Sequence, residues 1–182
     1  MWHPDTLLIF DYSGTLSLEM PRFAEPENLR RALEQSGLAR LGVTGPEVFW
    51  EGIVNPSWVE GSTTQQGYCR VMAKRIAALG PASAASAAEV AAAAARFVEG
   101  YFAQSRIAPG WRPLLFRLTG NHRIGVVIAT DHYAEATGRI IAALEAWAIP
   151  AEPVVLPFPR VPESESTDHP VIVVNSADVG TW

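Results

Sequence analysis

The sequence has very little of the residues from which stapled or metal-rich proteins are built. Among its 182 residues the single cysteine, Cys69, excludes an internal disulfide and a cysteine-rich metal site. Lys74 is the one lysine, so a mechanism that needs a lysine has one candidate. The four histidines show no ligand spacing and are expected in loops or at the surface. A formal net charge of −5 argues against the basic footprint that nucleic-acid binding requires.

Long hydrophobic runs are also lacking. A membrane span needs roughly 20 apolar residues, and the best candidate, 90–98, is a mostly alanine stretch between Glu89 and Glu99. The first residues lack the basic and apolar regions of a secretory signal. We therefore expect a cytoplasmic protein with neither nucleic acid nor a membrane as its partner.

Short apolar runs predict the strands of a parallel sheet. They lie at 7–10, 124–129, 154–156 and 171–174. Because these runs are continuous rather than alternating, they favour strands buried on both faces. Helical patterns between the first three runs favour right-handed βαβ units. The sequence thus predicts an α/β fold with about four parallel strands, in which the first strand is central.

A long helical insertion separates the first two runs. Residues 27–35 and 65–79 have helical spacing and end at glycines. Ser86 and Glu89 match a capping box, which predicts a helix that runs to about residue 104. The predicted organisation is an α/β core from residues 1–17 and 107–182, with a helical unit from 18–106.

Polar residues follow three of the four predicted strands. They are Asp11, Thr130 and the group from Asn175 to Asp178. The carboxyl ends of parallel strands meet at one edge of the sheet, where ligands bind. This convergence is the main functional signal in the sequence.

The same stretches resemble motifs of the haloacid dehalogenase-like (HAD) hydrolase superfamily. LLIFDYSGTLS at 7–17 resembles the first motif, and VVIATDHY at 126–133 resembles the second. APGWRPLLFRL at 108–118 is similar to the helix that enters the second motif, and VIVVNSAD at 171–178 lies where the fourth belongs. The resemblance implies a Rossmann-like core with a helical cap inserted after the first strand.

The resemblance implies a hydrolase that acts on a small phosphorylated or halogenated substrate. Asp11 would attack that substrate and form a covalent ester, which water then hydrolyses. Gly14 and Thr15 would shape the turn after the nucleophile, and Asn175 would contact the substrate. Thr130 would donate its hydroxyl to an anionic oxygen of the substrate.

Three positions depart from the pattern of the family's phosphatases. Ser13 stands where those enzymes carry a second aspartate as general acid and base, and a serine cannot protonate a leaving group near neutral pH. Arg160 alone is placed to substitute for the lysine of the third motif. Asp178 is the carboxylate that remains in the fourth motif, so the resemblance implies that any Mg²⁺ is held by Asp11 and Asp178.

These departures leave several readings open. The Asn-x-x-Asp spacing from Asn175 to Asp178 resembles the metal-independent dehalogenase branch, although the tyrosine of that branch is one residue early here, at Tyr12. A phosphonate-cleaving branch uses a cap lysine, for which Lys74 is the candidate. A catalytically impaired binding or scaffold protein is the alternative from another class. Because the sequence ends at Trp182, where the family continues with another strand, we expect an incomplete sheet edge that favours a homo-oligomer.

Overall fold

The computed structural model describes residues 4–58, 60, 64–80, 84–154 and 169–179. It is an α/β structure that divides into two compact units. One comprises Met1–Leu18 with Ser105–Trp182, and the other comprises Glu19–Gln104. None of the helices in these described ranges combines the length and the hydropathy that a bilayer crossing requires.

The secondary structure alternates as the sequence pattern predicts. The strands are β1 Thr6–Asp11, β2 Ile124–Thr130, β3 Ala151–Pro153 and β4 Val171–Asn175. The helices are α1 Glu19–Ala24, α2 Pro26–Ser36, α3 Pro46–Phe49, α4 Asn55–Trp58, α5 Gln65–Ala77, α6 Ala87–Gln104, α7 Arg112–Thr119, α8 Glu135–Glu145 and α9 Ser176–Val179. A π-helical turn, Trp50–Val54, joins α3 to α4.

The four strands form one parallel sheet in the order β1-β2-β4-β3. In its register Asp11 lies opposite Ala129, and Thr130 lies opposite Asn175. The parallel sheet confirms the predicted fold class. The prediction that the first strand is central is wrong, because β2 lies between β1 and β4 and leaves β1 at the edge of the described sheet.

One face of the sheet carries the core of this unit. Helix α7 packs on β2, and α8 packs on β3 and β4. The buried cluster consists of Tyr12, Leu16, Ile107, Leu115, Val126, Ile128, Ile140, Leu144, Ile149, Val171 and Val173. Since alternate strand residues point to one face, the buried residues of β2 and β4 place both helices on the same side of the sheet.

The opposite face is exposed at β1. Leu7 and Ile9 are 56% and 64% exposed, whereas Phe10 packs against the buried cluster. The prediction that β1 is buried on both faces is therefore wrong. A run of four apolar residues does not reveal which faces are covered, because coverage depends on helices that lie far away in the sequence.

The third strand begins earlier than predicted. It spans Ala151–Pro153 rather than 154–156, and residues 155 and 156 lie outside the described ranges. As an edge strand it pairs with β4, so Pro153, which has no N–H, fits at its end.

The helical unit follows its sequence signals closely. Helix α2 has Pro26 in its first turn and ends at Gly37, whose φ of 89° lies in the left-handed region. The capping box is confirmed: the Ser86 N–H donates to Glu89 Oε2 at 2.8 Å, and the Glu89 N–H donates to Ser86 Oγ at 3.3 Å. The Arg96 guanidinium donates twice to the Ser36 carbonyl, which joins α6 to the end of α2.

Candidate functional site

Asp11 is the last residue of β1 and is exposed. The chain turns sharply after it: the Gly14 N–H donates to the Ser17 carbonyl at 2.7 Å, and the Ser17 N–H donates to the Tyr12 carbonyl at 2.9 Å. Gly14 has a φ of 86°, a backbone angle that residues other than glycine rarely adopt. The Thr15 hydroxyl donates to Asp11 Oδ2 at 3.3 Å. The turn thus holds a solvent-accessible carboxylate at the end of a strand.

Thr130 and Asn175 lie one row further along the neighbouring strands. They are paired in the register of β2 and β4, and both are buried, with 8% and 1% of their surface exposed. Alternate residues of a strand point to the same face of the sheet, so Asp11 lies on the face of the exposed Leu7 and Ile9. Thr130 and Asn175 lie on the face that carries the buried core residues. The structure therefore brings the predicted residues to one end of the sheet, but it places the Asp11 side chain on the other face from Thr130 and Asn175.

Asn175 is fully engaged within the protein. Its Nδ2 group donates to the Tyr133 carbonyl at 3.0 Å and to the Thr137 hydroxyl at 3.1 Å, and its Oδ1 accepts from the Ala177 N–H at 3.1 Å. Both amide protons are used, so this geometry leaves Asn175 no donor for a substrate. Thr137 donates in turn to Asp178 Oδ2 at 2.6 Å.

The Thr130 hydroxyl already has one partner. It accepts from the His132 N–H at 3.2 Å, and the Tyr133 N–H donates to His132 Nδ1 at 2.7 Å. A hydroxyl that accepts one hydrogen bond still has its own proton to donate. Thr130 is thus held in place by the chain that follows it and retains a donor.

His132 is a residue whose position the sequence reasoning missed. It is only 7% exposed and its ring lies edge-on to that of Tyr12, rather than in an exposed loop. The pKa of His132 is lowered from 6.5 to about 4, mainly by burial; the positive charge of Arg139 also lowers it, and Glu135 opposes both. The sequence signal was present, since His132 lies two residues beyond a buried strand.

The lowered pKa of His132 predicts that the unit with the sheet loses stability in acid. Since the folded state binds its proton only below about pH 4 and the unfolded state binds it near pH 6.5, stability should fall as the pH drops between these values. The full loss is about 3 kcal/mol. His132→Asn, whose amide oxygen can replace Nδ1, should remove this part of the pH dependence of unfolding, measured by urea titration. The exposed His122, changed to Asn, serves as the control, and an unchanged slope in His132→Asn would contradict the prediction.

The magnesium site that the resemblance implies, at Asp11 and Asp178, stays a prediction. Asp11 Oδ2 accepts the Thr15 hydroxyl and Asp178 Oδ2 accepts the Thr137 hydroxyl, so a proton donor already faces one oxygen of each carboxylate. The described ranges contain no group of three or more His, Cys, Asp or Glu side chains that could hold a metal ion.

The sequence also indicated Arg160 and Lys74 as candidates. Arg160 lies outside the described residues. Lys74 belongs to α5 of the helical unit, its side chain is 73% exposed, and it donates to Glu60 Oε2 at 3.1 Å. This hydrogen bond lowers the pKa of Glu60. A lysine that forms a Schiff base needs a desolvated amine, so the exposed setting of Lys74 gives the phosphonate-cleaving reading no support.

Ser13 and Thr15 complete the turn. Ser13 is half-buried and forms an isolated bridge with Ser17, while Thr15 is exposed.

Comparison of the chain with models of protein families, with curated proteins and with solved structures finds no match in any of the three.

Proposed function

We propose that the protein is a HAD-like hydrolase that uses Asp11 as the nucleophile on a small phosphorylated or halogenated substrate. The observation that supports this most is the exposed Asp11 carboxylate at the carboxyl end of a parallel strand, with the turn through Gly14 directly behind it. Open parallel sheets bind ligands at this end. The Thr15 hydroxyl orients the carboxylate and leaves its second oxygen for attack.

The proposed reaction has two steps. An Asp11 oxygen attacks phosphorus to form an acyl phosphate, or the carbon that bears a halogen to form an ester, as the bond to the leaving group breaks. Water then hydrolyses the acyl phosphate or the ester and restores the carboxylate. The Thr130 hydroxyl is the candidate donor to an anionic oxygen of the substrate.

The residue at position 13 favours a particular class of substrate. An alkoxide leaving group needs a proton as its bond breaks, and Ser13 is too weak an acid to supply one. A halide or a resonance-stabilised leaving group departs without a proton. We therefore place halogenated acids and activated phosphates ahead of ordinary phosphomonoesters.

Substrate panels with isotopic water test this proposal. The wild-type protein is assayed on 2-haloacids, aryl phosphates and alkyl phosphates, each with Mg²⁺ and with a chelator. Halide or phenolate release is expected, with alkyl phosphates slowest. In single turnovers in H₂¹⁸O, attack of water on the ester carbonyl labels Asp11, whereas attack on phosphorus labels the phosphate. No release from any substrate under either condition would overturn the proposal.

A second candidate is a binding or scaffold protein that keeps this sheet without turnover. It is supported by the internal hydrogen bonds of Asn175 and by the placement of Asp11 and Thr130 on different faces. Magnesium titration by calorimetry separates the two candidates together with the panels. Absence of both metal binding and turnover favours the scaffold, while metal binding that disappears in Asp11→Ala favours the enzyme.

A further inference from the structure

The hydrogen bonds around Thr137 connect three elements of the sheet unit. Asn175 ends β4, Asp178 lies in α9, and Thr137 lies in the first turn of α8. Through Asn175 the set also reaches the Tyr133 carbonyl, in the connection at 131–134 between β2 and α8. We refer to Asn175, Thr137 and Asp178 as the polar clamp.

The hydrogen-bond donors and acceptors of the polar clamp can be assigned in one way. A carboxylate only accepts hydrogen bonds, so the Thr137 proton points to Asp178. The Thr137 oxygen is then free to accept from Asn175 Nδ2. The second Asn175 proton goes to the Tyr133 carbonyl. Every member is therefore oriented by the next, and one hydroxyl links the carboxylate to the amide.

The connection that the polar clamp reaches also contacts Thr130. The His132 N–H donates to the Thr130 hydroxyl, and the Tyr133 N–H donates to the His132 ring. These bonds are local, and Asn175 ties the same connection to β4 across 42 residues. A shift of the Tyr133 carbonyl would move the His132 N–H and with it the orientation of the Thr130 hydroxyl.

We infer that the polar clamp is a positioning device: Thr137, held between Asn175 and Asp178, fixes the 131–134 connection and thereby the Thr130 hydroxyl. This assigns Asn175 and Asp178 a role in holding the chain rather than in binding substrate or metal. The consequence for turnover rests on the proposed hydrolase function, whereas the conformational part stands on these hydrogen bonds alone.

Hydrogen exchange of single amides tests the conformational part. Thr137→Val keeps the shape of the side chain and removes the hydroxyl. Exchange at the His132 and Tyr133 amides should speed up about tenfold relative to the Val126 and Ile128 amides, the scale expected when a buried donor loses its partner. Thr137→Ser restores the hydroxyl and should restore slow exchange.

The matched control is Thr119→Val, because Thr119 is a buried threonine whose hydroxyl bonds only to carbonyls of its own helix α7 in the described contacts. It should leave the ratio of exchange rates unchanged. If Thr137→Val instead accelerates all four amides equally, or none, the positioning role is overturned. If Thr137→Val does not fold, Asp178→Asn, at an exposed residue, should give the same pattern at smaller amplitude, and no change there overturns the inference.

Turnover separates this inference from the proposed function. On a substrate that the wild-type protein hydrolyses, Thr137→Val should lower kcat about tenfold with KM little changed, because Thr130 would act mainly in the transition state. An unchanged kcat alongside altered exchange would overturn the catalytic part. If the wild-type protein hydrolyses nothing while exchange changes as expected, the hydrolase proposal fails and the polar clamp stands.

Discussion

Asp11→Asn should abolish turnover of any substrate that the wild-type protein hydrolyses. The amide that replaces the carboxylate has nearly the same shape, but it is too weak a nucleophile to form the ester. A loss of at least about 10³-fold in kcat is expected, the scale on which removal of a covalent nucleophile acts in other hydrolases. The assay is halide or phenolate release under single-turnover conditions, with the ¹⁸O label followed in parallel.

Asp131→Asn is the matched control for this substitution. Asp131 is also exposed and also follows a strand of the sheet, since it comes directly after β2. The same chemical change there should leave kcat within about threefold, as expected for a surface substitution that makes no transition-state contact. Equal activity of Asp11→Asn and wild type would remove Asp11 as the nucleophile, and with it the main support for the hydrolase proposal.

Two isoleucines of adjacent strands should respond very differently to truncation. Ile128 is fully buried in the core of the sheet, whereas Ile9 on β1 is 64% exposed. Ile128→Ala should lower the free energy of unfolding by about 2–5 kcal/mol, because it loses buried surface and leaves a cavity. Ile9→Ala should cost less than about 1 kcal/mol, since only its strand preference is lost.

The measurement is hydrogen exchange of the β2 amides. It reports on the sheet unit separately, which matters because two compact units need not unfold together. A cost for Ile9→Ala comparable to that for Ile128→Ala would show that β1 is covered on both faces in solution. If the cost of Ile9→Ala depends on protein concentration, this would support the predicted pairing of two copies of the chain.

The convergence of the strand ends could be predicted from the sequence, whereas the contacts around them could not. Asp11, Thr130 and Asn175 could be found because each ends an apolar run, and strand ends converge in a parallel sheet. Thr137 carried no comparable signal, and His132 carried only its place two residues beyond a buried strand. Their roles depend on a helix start and a loop that meet β4, a contact between residues about 40 positions apart.

Local signals by themselves determined the elements of this protein. Four apolar runs, the turn at Gly14, the capping box at Ser86 and the glycine at the end of α2 act over a few residues, so they can be recognised without the fold. Strand order and coverage were decided only by the tertiary structure. The packing of β2, β4, α7 and α8 decides whether β1 is central and whether Ile9 is buried. It also decides whether the Asp11 side chain lies on the covered or the exposed face of the sheet. Those contacts join distant parts of the chain, and no short stretch of sequence encodes them.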